Sequence, residues 1–538
     1  MDECNLTPFG PCRPVMPPRS GTSPPWAIGA PGPHYPPLAT SLDVDVAVIG
    51  AGITGLTGGY LAARAGRSVV VLERDSIAGG ETGRTTGFLT AVLDARLVDL
   101  VAVHGEGRAR AAWDSSAKGV DLIEAAVRQE SLDCDFRRVD AYLYGPRARD
   151  RELLKREARW ANEFGYAAEP VPPGSIPFSC RAALRIPGQA RVHPLKYMLG
   201  LARAIRAHGG RVHERTNVRR LKLGPASRRR VLVRTDDPKV YLRAGAVLLS
   251  NNAPFVDRRR MYARLRPCRT YAMAAPIAHG KVPEGLFWNT LDPYDYARLD
   301  VGPRNDRLIL GGADHGVGQV GQPERAEAKV EAYWTKSLGR PPSHPVRWSG
   351  EILNSEDGLP FIGVNPGSPT REMIATGFGG NGLTLGTLAG WMFCERVLGR
   401  ATRWDQMYDP NRGAASTART EIGRRRRLPA RQGTRVVRSP EDLAVGEGAW
   451  YVQRGRRLSL YRVDSRTYRA IDPRCTHLGC SVEWNPVERS WDCPCHGSRF
   501  DVDGRVLDGP AFRPLKVVNL RPRGALAERP RKKDAGPA

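Results

Sequence analysis

The sequence predicts an α/β domain followed by a small all-β domain. Three observations lead to this fold class. Near residue 45 a short apolar strand runs into a glycine-rich turn and a helix. Apolar runs then alternate with helical patterns to about residue 400, which is typical of an α/β domain. From about residue 436 the pattern changes to short strands and turns, typical of a small all-β unit of roughly 85 residues.

The domain boundaries follow from shifts in composition along the 538 residues. Residues 1–42 are rich in Pro, Gly and Ser, which predicts a disordered lead-in. The first domain is expected over 43–402. Residues 403–435 include few apolar side chains and an arginine run, which favours a basic linker. The all-β domain is expected over 436–523, with a frayed tail over 524–538.

The net charge of +26 comes from 82 Lys+Arg against 56 Asp+Glu. Such a balance can indicate nucleic acid or an anionic membrane as partner. The arginines are scattered, however, and their short runs are not interleaved with the aromatics of a stacking platform. We therefore expect a solvated surface and no nucleic-acid partner, with an anionic partner or an acidic redox protein as the alternative.

No stretch approaches the ~18 apolar residues that a membrane-spanning helix needs. No charged start followed by an apolar core, as in a secretory signal, is found. The expectation is a soluble cytoplasmic protein without a transmembrane segment.

Gly50, Gly52 and Gly55 form a G-x-G-x-x-G turn between an apolar strand and a helix. Glu73 stands at the end of the next apolar run, about 20 residues on, as in dinucleotide-binding folds. The glycines allow the backbone to approach a pyrophosphate, and Glu73 is placed to accept from ribose hydroxyls. This motif alone does not separate FAD from NAD.

Four of the ten cysteines lie in the stretch 474–501, together with two histidines. Metal-ligand spacing is found in Cys475-x-His477 and, 15 residues later, in Cys493-x-x-His496. Zinc is the first alternative, but zinc patterns pair C-x-x-C with a histidine pair or another C-x-x-C. One Cys and one His from each half suit a two-iron cluster with two cysteines on one iron and two histidines on the other.

The stretch "CTHLGC…CPCHGS" closely resembles the Rieske [2Fe–2S] proteins, in particular the disulfide-containing kind of the cytochrome bc complexes. The resemblance implies an all-β Rieske domain with a proline loop at "GPAFRPL" (509–515). It also implies a disulfide between Cys480 and Cys495 that links the two cluster loops. The implied cluster ligands are Cys475, His477, Cys493 and His496.

One residue departs from this resemblance. Phe500 stands where high-potential Rieske members have a tyrosine. Hydrogen bonds to the cluster and to its ligand sulfurs raise the potential. Ser498 can supply one such bond and Phe500 cannot, so we predict a potential in the middle of the Rieske range.

Residues 43–400 resemble the FAD-dependent amine and amino-acid oxidoreductases, the family of D-amino-acid, glycine and sarcosine oxidases. The matching segments are "GGETGRTTG" (79–87), the stretch 193–218, "DGLPFIG" (357–363) and "IATGFGGNGLTLG" (374–386). The resemblance implies an α/β Rossmann-like FAD-binding part with an interleaved α+β substrate part. Only one complete dinucleotide fingerprint is present, so no separate NADH domain is expected. The cofactor-binding residues expected for FAD are Gly50, Gly52, Gly55, Glu73, Arg74, Thr85, Thr86, Val218, Gly379, Gly380, Asn381, Gly382, Leu383 and Thr384.

The combination also resembles a bacterial type in which such an oxidoreductase is followed directly by a Rieske domain. It implies a dehydrogenase that oxidises an amine or amino-acid-like substrate by hydride transfer to FAD. Electrons would leave singly through the cluster, at its histidine edge, to a protein or quinone-like acceptor. Reverse flow, in which the cluster feeds FAD for a reduction or monooxygenation, is the alternative, and a non-catalytic redox sensor is a third.

The catalytic candidates are Tyr296 and Arg298 in "PYDYARLD" and His315 in "GGADHG". Arginine suits a substrate carboxylate because its guanidinium binds it bidentately. A structural role is the alternative for each of them. No motif supports covalent attachment of flavin to Cys268 or Cys394.

Overall fold

A computed structural model describes residues 22–27, 34–223, 230–256, 261–368, 371–413 and 433–520 of the chain. Within these ranges nine α-helices alternate with strands in the first four hundred residues, and strands dominate after residue 433. The helices are α1 (Ile53–Arg64), α2 (Glu81–Arg84), α3 (Leu97–His104), α4 (Glu106–Gln129), α5 (Asp150–Glu163), α6 (Pro194–Ala207), α7 (Gln322–Leu338), α8 (Gly382–Val397) and α9 (Asp405–Tyr408).

The first sheet has a parallel centre, as the glycine motif predicts. Its eight strands are β1 (Leu42–Ile49), β2 (Val69–Leu72), β7 (Arg211–His213), β8 (Val218–Leu223), β9 (Val231–Thr235), β10 (Tyr241–Leu249), β16 (Phe361–Val364) and β17 (Glu372–Thr376). The path is β16-β17-β10-β1-β2-β7, with β8 and β9 added beside β10. Strands β17, β10, β1, β2 and β7 are parallel, so their carboxyl ends meet at one edge.

Alternate residues of β1 face two hydrophobic cores, as a strand buried on both faces requires. Val46 and Val48 pack with α1, α6 and α8 on one side. Ala47 and Ile49 pack with β8 and β9 on the other. The first sheet is therefore covered on both faces, and the helix α1 is held against its centre.

The second sheet forms the interleaved part. Its nine strands are β3 (Phe88–Leu89), β4 (Arg137–Gly145), β5 (Glu169–Val171), β6 (Ala182–Arg191), β11 (Leu265–Ile277), β12 (Leu286–Asn289), β13 (Tyr296–Asp300), β14 (Asp306–Gly316) and β15 (Val346–Ser355). The path is β15-β11-β14-β13-β12-β4-β6-β3, with β5 beside β6. Because the chain passes between the first and second sheets several times, residues from distant segments meet where the sheets adjoin.

The last part consists of two four-stranded sheets, as expected for the all-β domain. The third sheet contains β18 (Val436–Val437), β19 (Gly448–Gln453), β20 (Arg456–Arg462) and β21 (Tyr468–Ile471). The fourth contains β22 (Glu483–Asn485), β23 (Ser490–Asp492), β24 (Arg499–Phe500) and β25 (Val506–Asp508). The metal-ligand motifs lie in the loops that flank this fourth sheet.

Two expectations about boundaries need correction. Residues 22–27 and 34–41 of the predicted disordered lead-in are ordered, because Trp26 and Tyr35 are buried in the main core. The Trp26 indole donates a hydrogen bond of 2.6 Å to the carbonyl of Gly83. Residues 403–413 of the predicted linker pack on the first domain through α9, where Tyr408 is fully buried. The rest of the lead-in, residues 414–432 and the predicted tail lie outside the described residues.

Candidate functional site: a flavin cavity closed by the all-β domain

The glycine turn brings the backbone close to neighbouring chain at the start of α1. Gly50 has φ +105°, and a Cβ there would lie 2.8 Å from the carbonyl oxygen of Ser250. A Cβ on Gly55 would lie 2.0 Å from the carbonyl oxygen of Gly50, so Gly55 allows α1 to pack on the turn. Gly52 is the N-cap of α1 and carries no capping side chain. The turn therefore presents backbone rather than side chains to its surroundings, as a pyrophosphate requires.

A cavity of about 350 Å³ runs from this turn to the start of α8. Most of the residues predicted to bind FAD line it. They are Gly50, Gly52, Glu73, Arg74, Thr85, Thr86, Val218, Gly379, Gly380, Asn381, Gly382 and Leu383. Segments between residues 50 and 383 of the chain meet here, where the two sheets adjoin. The donor set, which combines the backbone of the glycine turn, Glu73 and the start of α8, fits FAD.

Gly55 and Thr384 do not line this cavity, contrary to prediction, and support it instead. Gly55 allows the close packing of α1 described above. Thr384 is buried, and its hydroxyl donates to the carbonyl of Asn381 across the first turn of α8. Both residues shape the backbone that surrounds the cofactor.

Glu73 and Asn381 fix the two ends of the cavity. The Glu73 carboxylate accepts hydrogen bonds from the backbone N–H of Ala51 at 2.8 Å and of Asp75 at 2.9 Å. Asn381, the N-cap of α8, accepts from the N–H of Asp94 and donates to the carbonyl of Val92. The N-terminal end of α8 is thus held facing the cavity, where its partial positive charge favours an anionic ring.

Aromatic residues form one wall of the cavity near α8. Tyr296 lies 5.9 Å from Phe88 and 6.0 Å from Tyr294 between ring centroids. Its hydroxyl is 3.0 Å from that of Thr270. Burial holds the pKa of Tyr296 well above its usual value, so the phenol stays protonated. Of the three predicted catalytic residues, Tyr296 is the one that lines the cavity.

Further residues of this wall were not predicted from the sequence. Trp288, Tyr294 and Phe378 line the cavity, as does Asp94. They come from β12, from the loop before β13 and from the loops that follow β17 and β3. Asp94 and Trp288 lie in no motif, whereas Tyr294 and Phe378 lie in motifs from which other residues were chosen. The meeting of the two sheets brings the four together.

Arg298 does not face the cavity, so the prediction that it binds a substrate carboxylate is wrong. Its side chain is fully buried, and its Nη1 donates to the carbonyls of Gly87 at 3.0 Å and Val192 at 3.1 Å. Burial lowers the pKa of Arg298 to about 10, and Asp300 is its nearest compensating charge. Arg298 therefore joins β13 to the loop before β3.

His315 is also placed away from the cavity. It stacks on Tyr271, with ring centroids 5.5 Å apart, and its Nδ1 lies 3.0 Å from the carbonyl of Gly316. Thr270 and Ala272, on either side of Tyr271 in β11, line the cavity, so Tyr271 and His315 lie on the opposite face of the sheet. Burial lowers the pKa of His315 to about 4, so the ring is neutral.

The cluster motif forms two loops with the same hydrogen-bond pattern. In the first loop, the backbone N–H of Cys475 donates to the carbonyl of Cys480. In the second loop, the backbone N–H of Cys493 donates to the carbonyl of Ser498. Cys475 and Cys493 are buried free thiols, whereas His477 and His496 are half-buried with ring centroids 5.0 Å apart. Two thiols inside and two imidazoles outside fit the Cys₂His₂ ligand set of a Rieske cluster.

The predicted disulfide between Cys480 and Cys495 is confirmed. It joins the two cluster loops across a sequence separation of 15 residues. Both cysteines belong to the hydrophobic core that surrounds the buried thiols. The bridge therefore holds the two halves of the ligand set together.

The all-β domain completes the flavin cavity. Residues Leu507–Phe512, which include the start of the proline loop, line it opposite the glycine turn. The backbone N–H of Ala511 donates to the hydroxyl of Ser498 in the second cluster loop at 2.9 Å. Arg74, on the rim of the cavity, donates to the carbonyl of Leu507. The domain is thus docked on the first domain of its own chain.

Buried charges hold this contact together. Glu488, from the all-β domain, lies 3.4 Å from Arg269 and 3.9 Å from Arg84 of the first domain. It also lies 3.3 Å from Arg499 of its own domain. Arg499 in turn pairs with Asp508 at 2.9 Å. We call these residues, Arg84, Arg269, Glu488, Arg499 and Asp508, the buried charge cluster.

Fold and site together define a flavoenzyme with a fused iron–sulfur domain. The model of the FAD dependent oxidoreductase family (DAO) matches residues 45–396, and that of the Rieske [2Fe-2S] domain matches residues 434–519. The chain belongs to the FAD dependent oxidoreductase family and carries a Rieske domain. It is an enzyme whose cofactors are FAD and a Rieske [2Fe–2S] cluster, which decides between FAD and NAD and between iron and zinc.

Known proteins resemble the chain over its full length and over its first domain. YhfW of Bacillus subtilis (strain 168), which carries the name of a Rieske 2Fe-2S iron-sulfur protein, is 29% identical over 501 residues, or 92% of this chain and 97% of its own. Gamma-glutamylputrescine oxidoreductase of Escherichia coli (strain K12) is 26% identical over 383 residues, or 69% of this chain and 88% of its own. The glycine oxidase structure from Geobacillus kaustophilus shares the fold, with a TM-score of 0.56 at 19% identity over 69% of this chain and 99% of that one.

No helix in the described ranges is long and apolar enough to cross a membrane.

Proposed function

We propose that this chain is a dehydrogenase for an amine or amino-acid-like substrate. The substrate is oxidised by hydride transfer to FAD, and the electrons leave one at a time through the Rieske cluster to an external acceptor. The observation that carries this proposal is the shared cavity wall, because Leu507–Phe512 of the Rieske domain line the flavin cavity. A domain that forms part of the flavin site is well placed to exchange electrons with it.

The two cofactors supply complementary chemistry, since a flavin takes up two electrons as a hydride and can release them singly, while a [2Fe–2S] cluster carries one. The residues of this chain hold the two sites together. Ser498 connects the proline loop to the second cluster loop through Ala511, and the same proline loop lines the cavity. This gives a short path through protein between the two cofactor sites.

The substrate class is supported by the aromatic wall. Phe88, Trp288, Tyr294, Tyr296 and Phe378 line the cavity. Aromatic faces suit an organic ammonium or the neutral amine formed from it. Arg298 is engaged elsewhere, so the clamp expected for an α-carboxylate is not provided by that residue. The relative named for gamma-glutamylputrescine also points to an amine.

An anaerobic titration of the holoprotein tests this function. A panel of amines and amino acids is added while flavin absorbance and the Rieske EPR signal are recorded. A true substrate should bleach the flavin, and the signal of the reduced cluster should then grow. Reverse flow would show the opposite order, with external reductants reaching the flavin only through the cluster. A redox sensor would show no bleaching with any substrate.

Two cysteine variants test whether the cluster acts after the flavin in electron transfer. Cys493→Ser removes a ligand, so the flavin should still bleach while no Rieske signal appears. Cys134→Ser, which changes a buried free thiol of the first domain, is the control and should behave as the wild type. If Cys493→Ser prevents substrate from bleaching the flavin, the proposed direction of electron flow is wrong. The cytoplasmic location expected from the sequence stays a prediction, which cell fractionation tests.

A further inference from the structure

Tyr262 of the oxidoreductase domain contacts both histidines of the cluster motif. It lies in the short 3₁₀ helix Met261–Arg264, directly before β11. Its ring centroid is 4.5 Å from that of His477, with an interplanar angle of 88°. The centroid of His496 is also 4.5 Å away, at 75°. One tyrosine ring thus packs edge-on against the pair of imidazoles that form the outer edge of the ligand set.

Glycines beside this contact allow the cluster loop to seat against β11. Gly497 follows His496 and has φ +85°, and a Cβ there would lie 2.5 Å from Cβ of Pro267. Gly318, on the first domain, has φ +73°, and its Cβ would lie 2.8 Å from the backbone of Pro494. Neither close approach leaves room for a side chain. The loop 493–497 is therefore fitted to this surface.

The segment that carries Tyr262 leads directly to the flavin cavity. Arg269 of the buried charge cluster is the fifth residue of β11, and the next cavity-lining residues of this strand are Thr270 and Ala272. A second cavity, of about 280 Å³, lies between Pro494 and Cys495 on one side and Gly377–Gly379 on the other. Phe378 and Gly379 line both cavities. The histidine edge therefore faces the flavin domain of its own chain.

We propose that Tyr262 is a positioning residue that covers the histidine edge of the cluster and keeps the Rieske domain docked. This inference rests on the proposed function only in assigning the covered edge to electron exchange with the flavin. An external acceptor then approaches a face of the Rieske domain other than the histidine edge. This differs from the expectation that the histidine edge serves the outside acceptor.

The proposal that Tyr262 covers His477 and His496 is tested by measuring how accessible the two histidines are to a reagent in the holoprotein. Wild type, Tyr262→Phe, Tyr262→Ala and the control Tyr468→Ala are treated with diethyl pyrocarbonate, and labelling of His477 and His496 is followed by peptide mass spectrometry. Tyr262→Ala loses two edge-on aromatic contacts, so labelling of both histidines should be about tenfold faster than in the wild type. Tyr262→Phe keeps the ring and should stay close to the wild type. Tyr468, half-buried in β21 of the third sheet, lies away from the contact.

An EPR measurement and one additional variant complete this test. The EPR spectrum of the reduced cluster should change in Tyr262→Ala and not in Tyr468→Ala, because the ligand imidazoles lose their neighbour. Tyr262→Leu, which keeps apolar bulk, carries the same test if the alanine variant fails to incorporate the cluster. Equal labelling rates and equal EPR spectra in the Tyr262 variants and the wild type would overturn the proposal.

The electron-exchange part is tested separately from substrate oxidation. When the flavin is reduced photochemically without substrate, cluster reduction in the wild type should not depend on protein concentration. A rate that rises in proportion to concentration would show exchange between molecules and overturn this part. If no amine bleaches the flavin but the histidines remain protected, the proposed function fails and the cover by Tyr262 stands.

Discussion

Ser498 joins the second cluster loop to the proline loop through a single hydroxyl. It accepts a hydrogen bond from the backbone N–H of Ala511 at 2.9 Å and is hydrogen-bonded to Cys475. Phe500, two residues on, is fully buried in the same core and carries no donor. Ser498 and Phe500, from which we predict a middle-range potential, thus lie beside the ligand sulfurs.

Replacing Ser498 should lower the potential of the cluster. A hydrogen bond to a ligand sulfur favours the more negative, reduced cluster, so Ser498→Ala should shift the midpoint downward. The size is roughly 65–130 mV for this one-electron couple, from the 1.5–3 kcal/mol typical of hydrogen bonds to charged groups. An EPR-monitored redox titration measures it. Ser459→Ala, a buried serine in β20, is the control and should leave the midpoint unchanged. A wild-type midpoint at the top of the Rieske range would contradict the interpretation of Phe500.

At the residue scale, motifs predicted positions that short-range geometry determines. The cluster ligands and the disulfide lie in two short loops, so spacing and resemblance were sufficient to propose them. His315 failed because a strand sends neighbouring side chains to opposite faces. Arg298 is two residues from Tyr296 in β13, and it failed because its guanidinium is bound by the carbonyls of Gly87 and Val192. The face that meets the flavin depends on how the second sheet is placed, which the sequence does not reveal locally.

The glycine turn expected to meet the pyrophosphate of FAD depends on close packing with α1. Gly55→Ala would place a Cβ 2.0 Å from the carbonyl of Gly50, so α1 must shift or the turn must open. Flavin content should fall at least several-fold, as measured by the ratio of flavin to protein absorbance after gel filtration.

The matched control for this change is a glycine with free space around it. Gly107 lies in α4, and no atom outside its own helix is within 4 Å of a Cβ built there. Gly107→Ala should retain full flavin content and stabilise α4 by less than the roughly 1 kcal/mol of an interior position, because Gly107 is its second residue. Equal flavin content in the two variants would show that the turn tolerates the added methyl group.

At the element scale, the glycine turn, α8 and the change to short strands were predictable because each has a local pattern. The aromatic wall was not, apart from Tyr296, since its five residues come from separate strands and loops. The ordered N-terminal segment was missed for a related reason. Its Pro- and Gly-rich composition suggests disorder, but Trp26 is held by contacts with Gly83 and Trp348 that are distant in sequence.

Over the whole molecule, the buried charge cluster determines whether the two domains act as one unit. Arg269 is completely buried and pairs across the domain boundary with Glu488, which is also completely buried. Removing one member of a buried ion pair leaves the other charge uncompensated in a medium that solvates it poorly. The docked arrangement therefore needs the full set of charges.

Glu488→Gln tests this at nearly constant side-chain volume. Loss of the negative charge takes from Arg269 its nearest carboxylate and leaves it with Asp508 at 3.8 Å and Glu81 at 3.9 Å. The free energy of unfolding should therefore fall, by up to about 3–5 kcal/mol. Glu447→Gln is the control, because Glu447 pairs with Arg435 at 2.8 Å on the surface of the same domain. A surface pair contributes about 0–1 kcal/mol, so this variant should remain near the wild type in denaturant unfolding.

The same variant connects docking to electron transfer. If the charge cluster holds the Rieske domain against the flavin cavity, Glu488→Gln should expose His477 and His496 to chemical labelling even though Tyr262 is unchanged. Flavin-to-cluster transfer should then slow, while flavin content stays at the wild-type level because the glycine turn and α8 are untouched. A Glu488→Gln protein that is destabilised yet keeps protected histidines would mean that the charges stabilise each domain separately. The contact at Tyr262 and the proline loop would then be sufficient to keep the two domains together.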